Sequence, residues 1–384
     1  MIAYDLGRMQ FSFTDEQEEF RRVVRRFLQD KSPPAEVRRL METEEGCDPA
    51  VWKELSQQLA LAGLHVPEEY GGQGFGFVEL GIALEEMGRS LLCAPYFASA
   101  VLATNAILNA ATETKKKELL PRVASGDVIA TLAFTEPNGR WDATGIELTA
   151  TPADGAFRLD GVKSFVLDGQ RAELIVVAAR SPGSTGDAGI SFFTVAGSAS
   201  GLGRRLLSTV DGTRKQALLE FRGVRGELMS EHEGGASALE RTLDQAAIAL
   251  ASEMVGGAQK VLETTVEYAK TRVQFGRPIG SFQAIKHRCA DLLLEVEHAK
   301  SAAYGAASAA AEQADELPAL ASLAKACASD AYVRAASDSI QIHGGVGFTW
   351  ENDCHLYFKR AKSSEAFLGL PGEHRERFLR HSGI

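Results

Sequence analysis

The chain has 384 residues, 45% of them apolar and 24% charged, which leaves room for two or three domains with a sizeable core. A formal net charge of -10, with no dense block of Lys and Arg, argues against a nucleic-acid partner, because phosphate binding needs a basic face. The five cysteines are widely spaced, which fits neither a zinc site nor a disulfide framework and is typical of a protein in a reducing cytoplasm. No apolar run has the length of a signal sequence or a membrane span.

Residues 1–125 are predicted to form a helical domain. The segment TDEQEEFRRVVRRFLQD, which begins at Thr14, places its apolar residues on one stripe behind a threonine cap, with acidic residues in the first turn. That pattern is typical of an amphipathic helix. Further helical patterns cover residues 49–62, 77–89, 99–110 and 114–125. The glycine-rich segment PEEYGGQGFG between them predicts a loop.

Residues 126–235 are predicted to form a small all-β domain, either a barrel or a sandwich. Short runs of β-branched and aromatic residues alternate there with Gly, Asp and Pro, as in GIELTATPADGAFRLDGVKSFVLDG. The segment ADGAF lies between two alternating runs and predicts a hairpin turn.

Residues 236–384 are predicted to form a C-terminal four-helix bundle. Long helical periodicity begins at SALERTLDQAAIALASEMVGG and continues through two further segments, all too long for ordinary surface helices. Many Ala and Gly positions permit close helix packing, both within the bundle and against other copies of the chain. The predicted fold is therefore α+β and multidomain, with a central β domain between two helical ones.

Four strings occur in the order and at roughly the separations that mark one protein family. They are PEEYGGQG (67–74), AFTEP (133–137), RVQFGRPIGSFQAIKH (272–287) and QIHGGVGF (341–348). On these strings the chain resembles the acyl-CoA dehydrogenase family over essentially its whole length. Its departures from the family pattern look similar to subunits of the mixed assemblies that degrade steroid side chains. The resemblance implies an FAD-dependent oxidoreductase that acts on an acyl-CoA.

The third string carries three residue types that suit a dinucleotide. Arg272 and Gln283 flank a turn that holds Phe275, so a cation, an amide and an aromatic face meet at the junction of two long helices. A surface arginine above a buried phenylalanine is the alternative interpretation. The resemblance implies that all three residues reach an FAD bound mainly by the neighbouring subunit.

The fourth string places Gly344 and Gly345 shortly after Gln341. Bare backbone there would admit a phosphate or an adenine, although a glycine cap at a helix end explains the same residues. The resemblance implies that these three residues contribute to the same shared FAD site. A dimer would then be a condition of cofactor binding.

Two segments of the β domain resemble the parts of the family that lie against the flavin. Phe134 and Thr135 fall on a strand edge that the resemblance places beside the pyrimidine side of the flavin. Phe165 and Leu167 stand where many members have Trp and Thr or Ser, so a hydroxyl toward the flavin is absent. A half-buried strand followed by a turn is the alternative for both segments.

The family uses a glutamate to remove the α-proton of the acyl group, and both of its known positions lack an acid here. Alignment on KRAK (359–362) puts Leu368 at the usual position, and a gapless count back from Arg272 puts Ala246 at the other. Glu365 lies three residues before Leu368, about one turn away if this stretch is helical, and is the best candidate for a displaced base. Asp244 matches an aspartate that contacts the pantetheine arm of CoA, unless it is a solvated helix residue.

Three hypotheses follow from this pattern. The chain is an acyl-CoA dehydrogenase with a displaced base, or it is a non-catalytic subunit that pairs with a catalytic homologue in a heterotetramer, and these two carry equal weight. A third hypothesis keeps the acyl-CoA ligand but changes the reaction to a non-oxidative one. We expect FAD, an acyl-CoA substrate, a homo- or heterotetramer and a cytoplasmic location, and we expect no metal, nucleic acid or membrane.

Overall fold

The structure, a computed structural model, describes residues 13–384 and consists of two compact units. The first takes the described residues up to Arg38 together with Gly76–Leu92 and Ala247–Ile384, and it is almost entirely helical. The second takes Arg39–Phe75 and Cys93–Ala246 and holds the large β-sheet with several short helices. The predicted domain boundaries after residues 125 and 235 stay predictions.

The helices lie before and after the strands along the chain, which confirms the predicted order of helical, β and helical regions. Their bounds are α1 (Asp15–Lys31), α2 (Pro34–Met41), α3 (Pro49–Lys53), α4 (Phe77–Arg89), α5 (Thr104–Ala110), α6 (Glu113–Ala124), α7 (Ala236–Thr271), α8 (Gln283–Ala311), α9 (Leu317–His343), α10 (Cys354–Ala366) and α11 (Pro371–His381). Two π-helical segments, Glu54–Gln58 and Phe97–Ala103, continue α3 and precede α5. Within residues 13–384 no helix is both long and apolar enough to cross a membrane.

The predicted amphipathic helix at Thr14 is confirmed as α1, and its start has a clear local cause. The Thr14 side chain accepts a hydrogen bond from the backbone N–H of Gln17, and the Gln17 side chain accepts one from the backbone N–H of Thr14. This reciprocal capping box satisfies two backbone donors that the first turn would otherwise leave free.

Glycines bring α4 and α7 into backbone contact in the first unit. A Cβ atom at Gly88 would lie 1.9 Å from the carbonyl oxygen of Glu253, and one at Gly256 would lie 1.8 Å from that of Glu85. No side chain fits into either gap. The expected close approach of small residues is therefore realised at this crossing.

The sheet of the second unit contains seven strands. They are β1 (Ala130–Ala133), β2 (Thr149–Ala153), β3 (Ala156–Leu167), β4 (Leu174–Arg180), β5 (Ile190–Ala196), β6 (Leu202–Leu206) and β7 (Gln216–Leu228). The order β1-β4-β2-β3-β7-β5 is closed by a further pairing of β4 with β5, while β6 adds to β7. The β4–β2 link rests on a single residue pair. Strands β4, β2, β3, β7 and β5 thus form a closed ring, and the β domain is a barrel, one of the two predicted forms.

The barrel encloses an apolar core, and the predicted hairpin forms one of its corners. Core side chains include Leu159, Val177 and Phe193, each almost completely buried. Between β2 and β3, Asp154 and Gly155 have φ angles of 46° and 73°. Two consecutive positive φ angles match the twist of a two-residue hairpin, which is why Asp-Gly is favoured there.

Candidate functional site

The RVQFGRP string forms an exposed hairpin at the end of α7. Its strands β8 (Val273–Gln274) and β9 (Arg277–Pro278) are joined by Phe275 and Gly276, whose φ angles are 54° and 78°. The backbone N–H of Arg272 donates to the carbonyl of Tyr268 at 2.8 Å, and the Arg272 carbonyl accepts from Ile279 at 2.8 Å. The backbone of Arg272 therefore closes the hairpin, while its side chain is exposed.

The hairpin also presents an aromatic ring and an amide. Phe275 is 92% exposed, and its ring lies edge-on to that of Phe282 with the centroids 6.1 Å apart. The guanidinium of Arg277 lies 4.0 Å above the Phe282 ring. Gln283, the first residue of α8, is exposed directly after this aromatic anchor. The alternative of a buried phenylalanine at position 275 is therefore wrong.

The QIHGG string forms the end of α9 and the turn that follows it. Gln341 is exposed, and a Cβ atom at Gly344 or Gly345 would meet no atom of the described residues within 4 Å. Gly344 has a φ of 62° and ends α9. A glycine cap is present, and the backbone beside it is also open to a ligand.

Tyr268 connects these two strings. Its ring stacks on that of His343 with the centroids 4.1 Å apart, and its hydroxyl lies 3.5 Å from the His343 carbonyl. His343 is buried and also contacts the Ser339 carbonyl through Nδ1 at 2.8 Å. The Arg272 hairpin and the Gly344 turn thus share one end of the first unit.

In the second unit, the AFTEP and KSFVLDG strings are hydrogen-bonded to each other. The backbone N–H of Ser164 donates to the Thr135 carbonyl at 2.9 Å, and the Thr135 hydroxyl donates to the Ser164 carbonyl at 2.8 Å. Phe165, the next residue, is 46% exposed at a bulge of β3, with a φ of 55°. Phe134 and Leu167 are buried, so of these predicted flavin contacts only Phe165 presents a large side chain to the surface.

A buried ion pair beneath these strings was not found by sequence reasoning. The Lys163 ammonium donates to Glu136 Oε1 at 2.6 Å and to the Phe134 carbonyl at 3.1 Å, and both side chains are buried. The backbone N–H of Leu148 also donates to Glu136, at 2.9 Å. Burial lowers the pKa of Lys163 to about 8 although the charge of Glu136 opposes this shift. The sequence carries one signal of this pair, because Glu136 in AFTEP and Lys163 in KSFVLDG have opposite charges.

Asp244 and Ala246 lie in α7 and are both buried, at 1% and 0% exposure. Asp244 is therefore not a solvated helix residue, which was the alternative interpretation. A contact of Asp244 with CoA stays a prediction. Ala246 offers no group that could take a proton.

The turn between α10 and α11 holds Leu368, at the predicted position of the base. Leu368 is 6% exposed and has a φ of 64°, and Gly369 follows with a φ of 107°. The Leu368 carbonyl lies 3.0 Å from His374 Nε2, and the Gly369 carbonyl accepts from the Lys325 ammonium at 3.2 Å. An apolar side chain thus fills a position whose backbone is tightly held.

Glu365, the predicted displaced base, lies on the last turn of α10. Its carboxylate pairs with the ammonium of Lys362, three residues earlier, and its side chain is 19% exposed. The Glu365 carbonyl accepts from the Lys325 ammonium at 3.1 Å. The next acid, Glu373, accepts from the backbone N–H of Leu370 at 2.7 Å and caps α11. Both carboxylates therefore have partners on their own segment.

Three bulky residues of these segments adopt a left-handed backbone. Phe165, Phe275 and Leu368 have φ angles of 55°, 54° and 64°. Such angles are genuine outliers for large side chains and cost of order 1–3 kcal/mol each, so they persist only where the surroundings enforce them. Leu91, outside these segments, has a similar φ of 48°, so the angle alone does not identify a functional site.

The sequence matches three family models in succession. They are described as the N-terminal domain of acyl-CoA dehydrogenase over residues 14–127, its middle domain over residues 131–224 and its C-terminal domain over residues 233–381. The chain is 36% identical over 359 residues to the acyl-CoA dehydrogenase IpdE2 of Mycobacterium tuberculosis, a match that covers 94% of this chain and 95% of the relative.

Two solved structures share the fold along almost their whole length. A variant of the steroid ACAD Tcur3481-Tcur3483 superposes with a TM-score of 0.86 at 30% identity and covers 96% of this chain and 98% of that one. The ChsE4-ChsE5 complex of Mycobacterium tuberculosis superposes with a TM-score of 0.87 at 28% identity, with coverages of 98% and 99%.

Proposed function

Because the chain belongs to the acyl-CoA dehydrogenase family, we propose that it serves the FAD-dependent α,β-dehydrogenation of an acyl-CoA as a base-less subunit, paired with a homologous chain. Oxidation of acyl-CoA with FAD is the general activity of this family. The observation that carries the finer proposal is Leu368, a buried apolar side chain on the turn where the resemblance to the family implies a proton acceptor.

The exposed groups of the first unit fit FAD. Arg272 offers a fork of donors to a pyrophosphate, Phe275 offers a ring face, and the open backbone at Gly344 and Gly345 allows a phosphate or adenine to approach. In the second unit, the Phe165 ring is available to a flavin edge. When bound, FAD supplies the hydride acceptor of the oxidation.

The chain's own residues would bind and orient the cofactor without taking the α-proton. Removal of that proton needs a carboxylate of raised pKa within hydrogen-bond reach of the carbon, and neither Leu368 nor Ala246 has an ionisable group. Glu365 and Glu373 already have partners on their own segment. A homologous partner that retains the glutamate would supply the missing proton acceptor at its own site.

Two relatives support a mixed assembly and a bulky substrate. The ChsE4-ChsE5 structure is a complex of two differently named chains, and Tcur3481-Tcur3483 is called a steroid ACAD. We therefore propose steroid-derived or branched acyl thioesters as the substrate class. None of the five cysteines is in a disulfide, which supports the proposal of a reducing, cytoplasmic location.

The test is to purify the chain alone and together with a homologue that carries the glutamate. We expect acyl-CoA to bleach the flavin spectrum under anaerobic conditions only when both chains are present. Steroid-derived, branched and straight acyl thioesters should be compared in the same assay. Full bleaching of the chain alone, with one FAD per protomer, would overturn the base-less assignment.

The second candidate is a self-sufficient enzyme that uses Glu365. Its side chain is 19% exposed and lies on the last turn of α10, but this helix ends at Ala366, so the spacing of one helical turn to Leu368 that a continuous helix would give is not present. If Glu365 is the base, Glu365→Gln should lower turnover by about 10²-fold or more with bound flavin unchanged, whereas Glu376→Gln, an exposed acid on α11, should not. Equal rates for both variants would exclude Glu365.

A further inference from the structure

A buried lysine lies beneath the turn that carries Leu368. Lys325, on α9, is completely buried, and its ammonium donates to Ser329 Oγ at 3.0 Å, to the Glu365 carbonyl at 3.1 Å and to the Gly369 carbonyl at 3.2 Å. Lysine is almost never fully buried without a paired charge. Here all three donors go to neutral oxygens, and two of these belong to the backbone at the end of α10 and in the turn.

His374, on α11, holds the adjacent peptide group. It is 5% exposed, and its Nε2 lies 3.0 Å from the Leu368 carbonyl. Because a carbonyl oxygen only accepts, Nε2 carries the proton of the ring. The other nitrogen, Nδ1, is buried without a hydrogen-bond partner among residues 13–384. Within the described residues, Nδ1 of His374 therefore stays unsatisfied, while Nε2 donates to the Leu368 carbonyl.

The turn is therefore fixed at three successive residues. Lys325 and His374 hold the carbonyls of Gly369 and Leu368, and the Glu373 carboxylate holds the N–H of Leu370. A Cβ atom at position 369 would lie 3.3 Å from both Glu373 and His374, and the φ of 107° there strongly favours glycine. These contacts enforce the left-handed conformation of Leu368, which a leucine would not adopt by itself.

We propose that Lys325 and His374 are positioning residues that fix the direction of the side chain at position 368, so that this turn is still built to carry a catalytic carboxylate. The inference rests on the proposed function, which puts the missing base at this position. An apolar residue at 368 does not need two buried polar side chains to aim it. A proton acceptor does, because a displacement of 1 Å at a reacting group can cost about 10²-fold in rate.

The first experiment restores the carboxylate. Leu368→Glu in the FAD-loaded chain should allow acyl-CoA to bleach the flavin without a partner, about 10²-fold faster than the unchanged chain. Leu368→Gln has the same shape without the proton acceptor and should stay inactive. Failure of Leu368→Glu in a chain that binds FAD would contradict the placement of the base at 368, and with it the proposed function.

The second experiment tests the positioning residues on that active background. Adding Lys325→Met or His374→Leu should lower kcat by about 10-fold or more at unchanged flavin content, because the carboxylate is then poorly aimed. Adding His374→Gln should keep most of the rate, since an amide also donates to the Leu368 carbonyl. Equal kcat values for His374→Leu and His374→Gln would overturn the role of His374.

A third measurement is independent of catalysis and of FAD. In the otherwise unchanged chain, amide hydrogen exchange of residues 367–370 should be about 10-fold faster in Lys325→Met and His374→Leu than in the parent. Tyr357→Phe is the matched control, because it removes a 2.7 Å hydrogen bond from α10 to the Arg89 carbonyl without touching the turn. Unchanged exchange of the turn in both variants would overturn the inference whatever the activity of Leu368→Glu.

Discussion

Tyr268 and His343 stack with an interplanar angle of 22° and join the ends of α7 and α9. The Tyr268 carbonyl also accepts the hydrogen bond from the backbone N–H of Arg272, the residue from which the hairpin starts, and His343 is followed directly by Gly344. One aromatic pair therefore sets the distance between the exposed cation and the open glycine backbone. A ligand that spans both, such as a dinucleotide, depends on that distance.

Tyr268→Ala should weaken FAD binding by about 10-fold, because loss of a stacked aromatic pair costs roughly 1 kcal/mol beyond its buried area and loosens both segments. Tyr268→Phe keeps the ring and should bind FAD like the parent protein. The measurement is a flavin fluorescence titration of the assembled protein. Identical affinities for the Ala and Phe variants would show that the stack does not support the site.

Arg272→Lys should lower FAD affinity about 10-fold or more, since an ammonium cannot form the two parallel hydrogen bonds of a guanidinium with a phosphate. Arg277→Lys is the matched control on the same hairpin, where the guanidinium lies over the Phe282 ring. Affinity should be measured at low and high salt, and the loss at Arg272 should persist at high salt, because lysine keeps the screened charge and lacks only the fork of donors. A larger loss at Arg277 would reassign the phosphate contact.

Features fixed by neighbouring residues could be predicted from the sequence. The threonine cap at Thr14 and the hairpin at Asp154 and Gly155 need only contacts within a few positions, and both are present as predicted, while the reciprocal contact from Gln17 was not predicted. The stripe of α1 was right in period but not in every member, because Val23 remains 40% exposed. Periodicity identifies the face of a helix, whereas the width of the buried strip depends on what packs against it.

Features fixed by distant residues could not be predicted. Lys325 and His374 are 49 positions apart, and Lys163 and Glu136 are 27 apart, yet each pair depends on buried hydrogen bonds that no local pattern records. A lysine within an alanine-rich helix suggests a solvated face, because lysine is mostly exposed. Only the packing of α9 against α10 and α11 reveals that Lys325 is buried.

Glu136→Gln should destabilise the second unit by about 3 kcal/mol, because it leaves Lys163 buried without its counter-charge. The amide oxygen still accepts from Leu148, so the loss reports the charge rather than the hydrogen bond. Glu220→Gln, which breaks an exposed pair with Arg222, should cost less than about 1 kcal/mol. Urea midpoints provide the comparison, and equal shifts for the two variants would contradict a role for burial.

His374 should make the first unit acid-sensitive. Burial, followed by the charges of Lys325 and Arg377, lowers the pKa of His374 to about 4 from its ordinary value near 6.5, and only the hydrogen bond to the Leu368 carbonyl opposes this shift. The folded state therefore binds fewer protons than the unfolded state between these values. The contribution of His374 to the free energy of unfolding is therefore fully present above pH 6.5 and is lost as the pH falls toward 4.

His374→Gln removes this titration and keeps a donor for the Leu368 carbonyl, so its free energy of unfolding should fall less steeply between pH 6.5 and 4, by up to about 3 kcal/mol. His65, also buried with its pKa lowered to about 4, titrates in both proteins, so the difference between the two curves isolates His374. His381→Gln, at an exposed position, should reproduce the parent curve. Parallel curves for His374→Gln and the parent, measured by urea unfolding at each pH, would mean that His374 is already protonated in the folded chain, and that its contact with the Leu368 carbonyl does not require a neutral ring.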